Sequence, residues 1–291
     1  VAATATQTDT ALDLSIRRTW PLALGFGVLA IPTIFSLGDQ FWSKEIGAHG
    51  PIIAATGIWL LWREMPAMRR QGVAGDGLLT ALLLIPSVAL YVFGRAYDFL
   101  SLEAAGLYGV GLAILQSKFG VKQMSRKWFP LLYLGFSIPP PTWVIDALTG
   151  SLKKFVTFVA TDTLHAVGIP VAREGVTIFV AQYQLLVEDA CSGMHSIVGL
   201  IAISLLYVYL MHGSSWRYSV LFVLLSIPIA IVANILRIMT LVLLTYFCGN
   251  EVAQGFLHFA AGIFLFAVAL VLLFAIDKSI SYVRERTRTR P

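Results

Sequence analysis

Charge and cysteine are both scarce in this chain. Asp, Glu, Lys and Arg make up 13% of its 291 residues, against roughly 25% in ordinary soluble domains. So few charges cannot clothe a soluble domain, and the hydrophobic residues, 57% of the total, fall in repeated long runs. This pattern indicates a polytopic membrane protein in contact with membrane lipids. With only two cysteines, Cys191 and Cys248, a disulfide framework and a cysteine-rich metal site are excluded. Neither His-Glu-x-x-His nor Gly-x-Ser-x-Gly occurs, which counts against zinc and serine hydrolases. No internal repeat or low-complexity linker interrupts the chain, so residues 1–291 are expected to form a single membrane-embedded domain. Nor is a cleavable signal peptide expected in the polar stretch Val1 to Asp13. The net charge of +5 requires no nucleic-acid partner, and no metal or cofactor is implied.

What is present is a series of apolar runs. A spanning helix needs roughly 20 mostly apolar residues. On that measure about eight spans are expected, in an all-α polytopic fold. They are Trp20–Leu37, His49–Leu61, Gly77–Phe93, Leu100–Gln116, Trp128–Ile138, Cys191–Met211, Tyr218–Phe247 and Leu257–Ile276. Pro139-Pro140-Pro141 closes the fifth, because no helix interior accepts such a run. Between spans five and six, Trp143–Val167 is patterned as an amphipathic helix lying at the membrane surface or capping the bundle. Ile169–Val187, punctuated by Pro170 and Gly175, suits a small β-hairpin. With eight spans, fifteen of the 21 Lys and Arg share one side with both termini. Basic loops stay in the cytoplasm, so the hairpin and Cys191 are expected on the extracytoplasmic face.

Cys191 stands where an aqueous loop enters a membrane helix, in Glu188-Asp189-Ala190-Cys191-Ser192-Gly193. Unpaired N–H groups and the partial positive charge of a helix start favour thiolate over thiol. Ser192 and Gly193 keep that turn small enough for a substrate backbone to approach. Taken alone, such a cysteine is more often a buried small hydrophobe. Its company changes the balance. Arg237 interrupts the apolar run Ile229–Ile238, nineteen residues after Tyr218. That places it about 28 Å along the helix, near the outer edge of a hydrocarbon core about 30 Å thick. Asn234, one turn earlier, can orient its guanidinium. His258 opens the last span at the same membrane level. A nucleophile, a cation for a developing oxyanion and a titratable acid or base are the parts of an acyl-transfer site. His195, four residues after Cys191, is a rival partner for the thiol.

These features resemble the exosortase/archaeosortase family of membrane transpeptidases. The likeness rests on Ala190-Cys191-Ser192-Gly193, on Asn234-x-x-Arg237 after Pro228-Ile229-Ala230, and on His258 ahead of Gly262. The Pro139-Pro140-Pro141 run and Gly168-Ile169-Pro170-Val171 add to it, and the catalytic core would cover about 128–276. The resemblance implies a bacterial inner-membrane cysteine peptidase with Cys191 as nucleophile and Arg237 and His258 completing the site. Ser192, Gly193 and Asn234 would then contact substrate. Substrates would be exported proteins with a C-terminal sorting signal, a short motif such as Pro-Glu-Pro followed by a helix and a basic end. Cleavage would pass through a thioester to an acceptor nucleophile at the cell surface. His195 stands where the family would have Arg, Gln or a similar residue. The competing class is a transporter or a lipid or polysaccharide flippase, for which an intramembrane Arg is also usual; paired or interrupted halves would support it, and neither is visible.

Overall fold

The computed structural model describes residues 2–44, 47–186, 192–212, 216–249, 264 and 267–279. Helix dominates. Helices α1 to α5 are Ala2–Leu37, Gly50–Gln71, Gly77–Ala96, Leu100–Arg126 and Trp128–Gly135. Then come α6 (Thr142–Ala166), strands β1 (Val171–Glu174), β2 (Thr177–Val180) and β3 (Tyr183–Leu186), and helices α7 (Ser192–His212) and α8 (Trp216–Cys248). A further helical stretch, α9, covers 267–279. Among the described residues, four helical stretches are long and apolar enough to cross a membrane: Trp20–Trp42, Gly77–Ala96, Leu100–Arg126 and Arg217–Cys248.

Several boundaries differ from those expected, each for a local reason. The second helix does not stop at Leu61 but runs past Arg63 to Gln71. Arg63 lies over the Trp59 ring, 5.8 Å from its centroid, so the charge is accommodated along the helix rather than ending it. The fourth continues to Arg126 across a break at Gly120, whose φ of 70° only glycine adopts readily. The expected hairpin is a three-stranded antiparallel meander, β1-β2-β3, pairing Val171 with Val180 and Thr177 with Leu186.

The chain groups into two compact units. The first contains α1 to α5. Its α3 and α4 lie backbone to backbone, because Gly94 and Gly106 carry no side chain where the partner helix passes. Close approach through small residues is how helices associate in lipid, where apolar surface gains nothing by leaving the solvent. The outward side accordingly stays apolar, with Leu82, Ile85 and Val92 exposed. Inside, Glu103 (2% exposed) accepts a hydrogen bond from Thr33 at 2.8 Å and pairs with Arg95 at 3.2 Å. Those partners offset the cost of burying a carboxylate. At another end of this unit Lys127 meets Glu64 at 2.6 Å and Gln123 donates to the Gln71 carbonyl at 3.0 Å.

The second unit contains α6, the sheet, α7, α8 and α9, together with the short segment Glu45–His49. Its core joins Val156, Ala160 and Leu164 of α6 to Ile178, Val180 and Leu185 of the sheet and to Ile238 and Val242 of α8. Arg173 of β1 lies over the Phe158 ring at 4.5 Å, which holds the sheet onto α6. A second cluster joins Leu200 and Val208 of α7, Phe222 and Ala230 of α8, and Ala269 and Leu273 of α9.

Candidate active site

Helix α7 begins at Ser192, the residue after Cys191, and β3 ends five residues before that cysteine. Cys191 itself lies outside the described residues, as do Glu188, Asp189 and His258. Ser192 and Gly193 form the first turn of α7, as the sequence predicts, and His195 continues it. On α8, Asn234 (3% exposed) and Arg237 (5% exposed) are both buried. They sit in a buried row with Ala230, Leu241 and Thr245, spaced by three and four residues along one side of the helix.

What relates the two helices is their register. Ser226 of α8 donates a hydrogen bond to Ser204 of α7 at 3.1 Å, and the Tyr207 and Phe222 rings lie 6.1 Å apart. Both contacts fit one antiparallel alignment. Arg237 is eleven residues beyond Ser226, and Gly193 is eleven residues before Ser204. Eleven residues make about three helical turns and about 16 Å of rise. Each therefore returns to the face its helix turns toward the other, at the same height. Extended along both helices, that alignment brings Arg237 level with the first turn of α7. Arginine offers five donors in a planar fork and keeps its charge at any accessible pH. A carbonyl oxygen gaining negative charge at that level would find a fixed cation.

A family model of transmembrane exosortases matches residues 41–275. The chain belongs to the transmembrane exosortase family. No curated protein and no solved structure matches it.

Two polar residues of this exosortase escape a sequence reading. Lys153, on the supposed surface helix, is only 8% exposed and shares a buried row with Val156, Thr157, Ala160, Thr161 and Leu164. Phe155 and Phe158 are on the exposed side instead. The signal was available in the spacing of that row, at three and four residues. It reads as solvated only if water is assumed on the polar side. The other is His49, in the turn before α2. A Cβ on Gly199 of α7 would lie 3.2 Å from its ring, so the glycine makes room for the imidazole. Burial lowers the His49 pKa below its ordinary value, which keeps the ring neutral at neutral pH. Gly199 is four residues after His195, on the same face of α7. Cys248, by contrast, is exposed and free at the end of α8. Among the described residues no group of three or more His, Cys, Asp or Glu is arranged to hold a metal ion.

Proposed function

We propose that this exosortase is a membrane cysteine transpeptidase that cuts the C-terminal sorting signal from exported proteins. The observation that supports it is the α7–α8 register, which sets the buried Arg237 level with the turn that follows Cys191. In the first step the Cys191 thiolate attacks the scissile carbonyl carbon. The oxyanion that forms lies against the Arg237 guanidinium, which Asn234 helps to orient. Ser192 and Gly193, at the helix start, leave the approach to the sulfur open. The C–N bond then breaks, and His258 gives a proton to the departing amine. A thioester joins the substrate to Cys191. In the second step an acceptor nucleophile loses its proton to His258 and attacks the thioester, releasing the thiolate. Cleavage ends in transfer when that acceptor is a cell-surface group, and in hydrolysis when it is water.

The basic loops put both termini in the cytoplasm of a bacterial inner membrane and the site on its outer face. Substrates with a motif such as Pro-Glu-Pro, a membrane helix and a basic end would reach it from within the bilayer.

The test is coexpression with candidate tail-bearing proteins, reading product masses. The wild-type chain should shorten such a protein, and Cys191→Ala should abolish shortening without loss of expression. Shortening by Cys191→Ala at the wild-type rate would dismiss the nucleophile.

A further inference from the structure

The two edges of the small sheet are not alike. The β1 edge is blunted: Pro170 precedes it, Arg173 and Glu174 are charged and exposed, and α6 packs against it. Charged residues, proline and a covering helix are the usual protections of a strand edge. β3 has none of the first two. Its sequence is Tyr183-Gln184-Leu185-Leu186, without a charge, and Gln184 is exposed. Among the described residues no strand pairs with its outer side. A strand edge offers alternating N–H and C=O groups to any extended chain laid beside it. This edge leads, five residues later, to Cys191.

We infer that β3 is the docking edge for the extended segment of the exported protein just before its cleaved bond, which adds to the sheet as a fourth strand. The inference rests on the transpeptidase reading above and specifies how that site receives its substrate. Its orientation follows from topology. After β3 the enzyme chain enters the membrane as α7, and after the scissile bond the substrate enters the same face as its tail helix. Both chains run toward the membrane, so the added strand is parallel to β3. Its register follows from length. Leu186 is five residues before Cys191, at most about 17 Å of extended chain. A parallel partner of equal rise would set the substrate residue beside Leu186 about five residues before the scissile bond, and the one beside Gln184 about seven before it. The uncharged edge accepts a peptide by its backbone and leaves selectivity to alternate side chains. β-Branched residues at those alternate positions would fit it best.

Disulfide cross-linking tests this directly. The probe is an exported protein with a C-terminal membrane helix and basic tail that the wild-type chain shortens. In the Cys191→Ala, Cys248→Ser background, Gln184→Cys would be oxidised against single cysteines walked through the ten residues before the scissile bond. Adducts should be about tenfold stronger at alternate positions and centred about seven residues upstream. Moving the enzyme cysteine to Leu186→Cys should shift the centre about two residues toward the bond. A shift away from the bond, an even distribution of adducts, or preferential capture by Ala172→Cys on β1 would overturn the docking edge while leaving the peptidase reading intact. If the wild-type chain shortens no tail-bearing protein, both fall together.

Discussion

Arg237 and Glu103 illustrate two ways of keeping a charge inside this protein. Glu103 has Thr33 and Arg95 within 3.2 Å, and its role is to hold α1, α3 and α4 together. Arg237 is buried at the helix seam, level with the first turn of α7, and is the residue proposed to bind the reacting carbonyl. If it binds the oxyanion, shape matters as much as charge. Arg237→Lys retains the cation and loses the fork, so turnover should fall about 100- to 1,000-fold, the usual effect of losing an oxyanion donor. Single-turnover kinetics would measure it, and a rate within about threefold of wild type would reduce Arg237 to an anchor. The histidines provide a second contest at this scale. His258→Ala should remove most activity and His195→Gln should keep it, because the acid that protonates the leaving amine is assigned to His258. The opposite result would move proton transfer onto α7. Arg237 and Asn234 were legible because polar residues stand out in an apolar run. Lys153 was not. It lies in a buried row of α6 beside Val156, Ala160 and Leu164, so a rule that puts every charge outside misplaces it.

Elements were legible where their signal is continuous. The apolar cores of α3 and α8 announce themselves, and so does the helix start after Cys191. Ends were harder: α2 passes Arg63 and Pro66, since a charge removes no backbone hydrogen bond and an interior proline removes only one, too little to halt a packed helix. β1 went unseen because Val171-Ala172-Arg173-Glu174 sets two apolar residues before two charged ones, with no alternation; it is a strand because β2 pairs with it. The α3–α4 pair allows a sharp test. A Cβ on Gly106 would strike the Tyr91 backbone, which cannot swing aside as a side chain can. Gly106→Ala should therefore cost about 1–3 kcal/mol, the usual range for overpacking, and lower the midpoint of thermal unfolding in detergent. Gly150→Ala on α6, where nothing lies within 4 Å, is the control and should be neutral or slightly stabilising. Equal effects at both sites would refute close packing as the link between α3 and α4.

At the scale of the whole molecule, the apolar helices and the family match make this a multi-pass membrane protein, and a substrate with the proposed tail helix would meet it in the same bilayer. Positioning by a shared membrane can turn a bimolecular attack into a local one, an effect of about 7–11 kcal/mol. Shortening the substrate's tail helix by two turns, about 11 Å, should therefore stop cleavage although the recognition motif is intact. Efficient cutting of a soluble protein bearing only the motif would show that the membrane contributes no positioning. The segment Glu45–His49 has a different consequence, one of timing. It belongs with the second unit, although the residues on either side of it belong to the first. On the ribosome His49 is made 150 residues before the Gly199 it packs against. At about 5–20 residues per second, that imidazole waits roughly 8–30 s for its partner to emerge. The second unit thus cannot finish folding as an independent late product of translation: one of its parts is delivered first and must be held in reserve until α7 arrives.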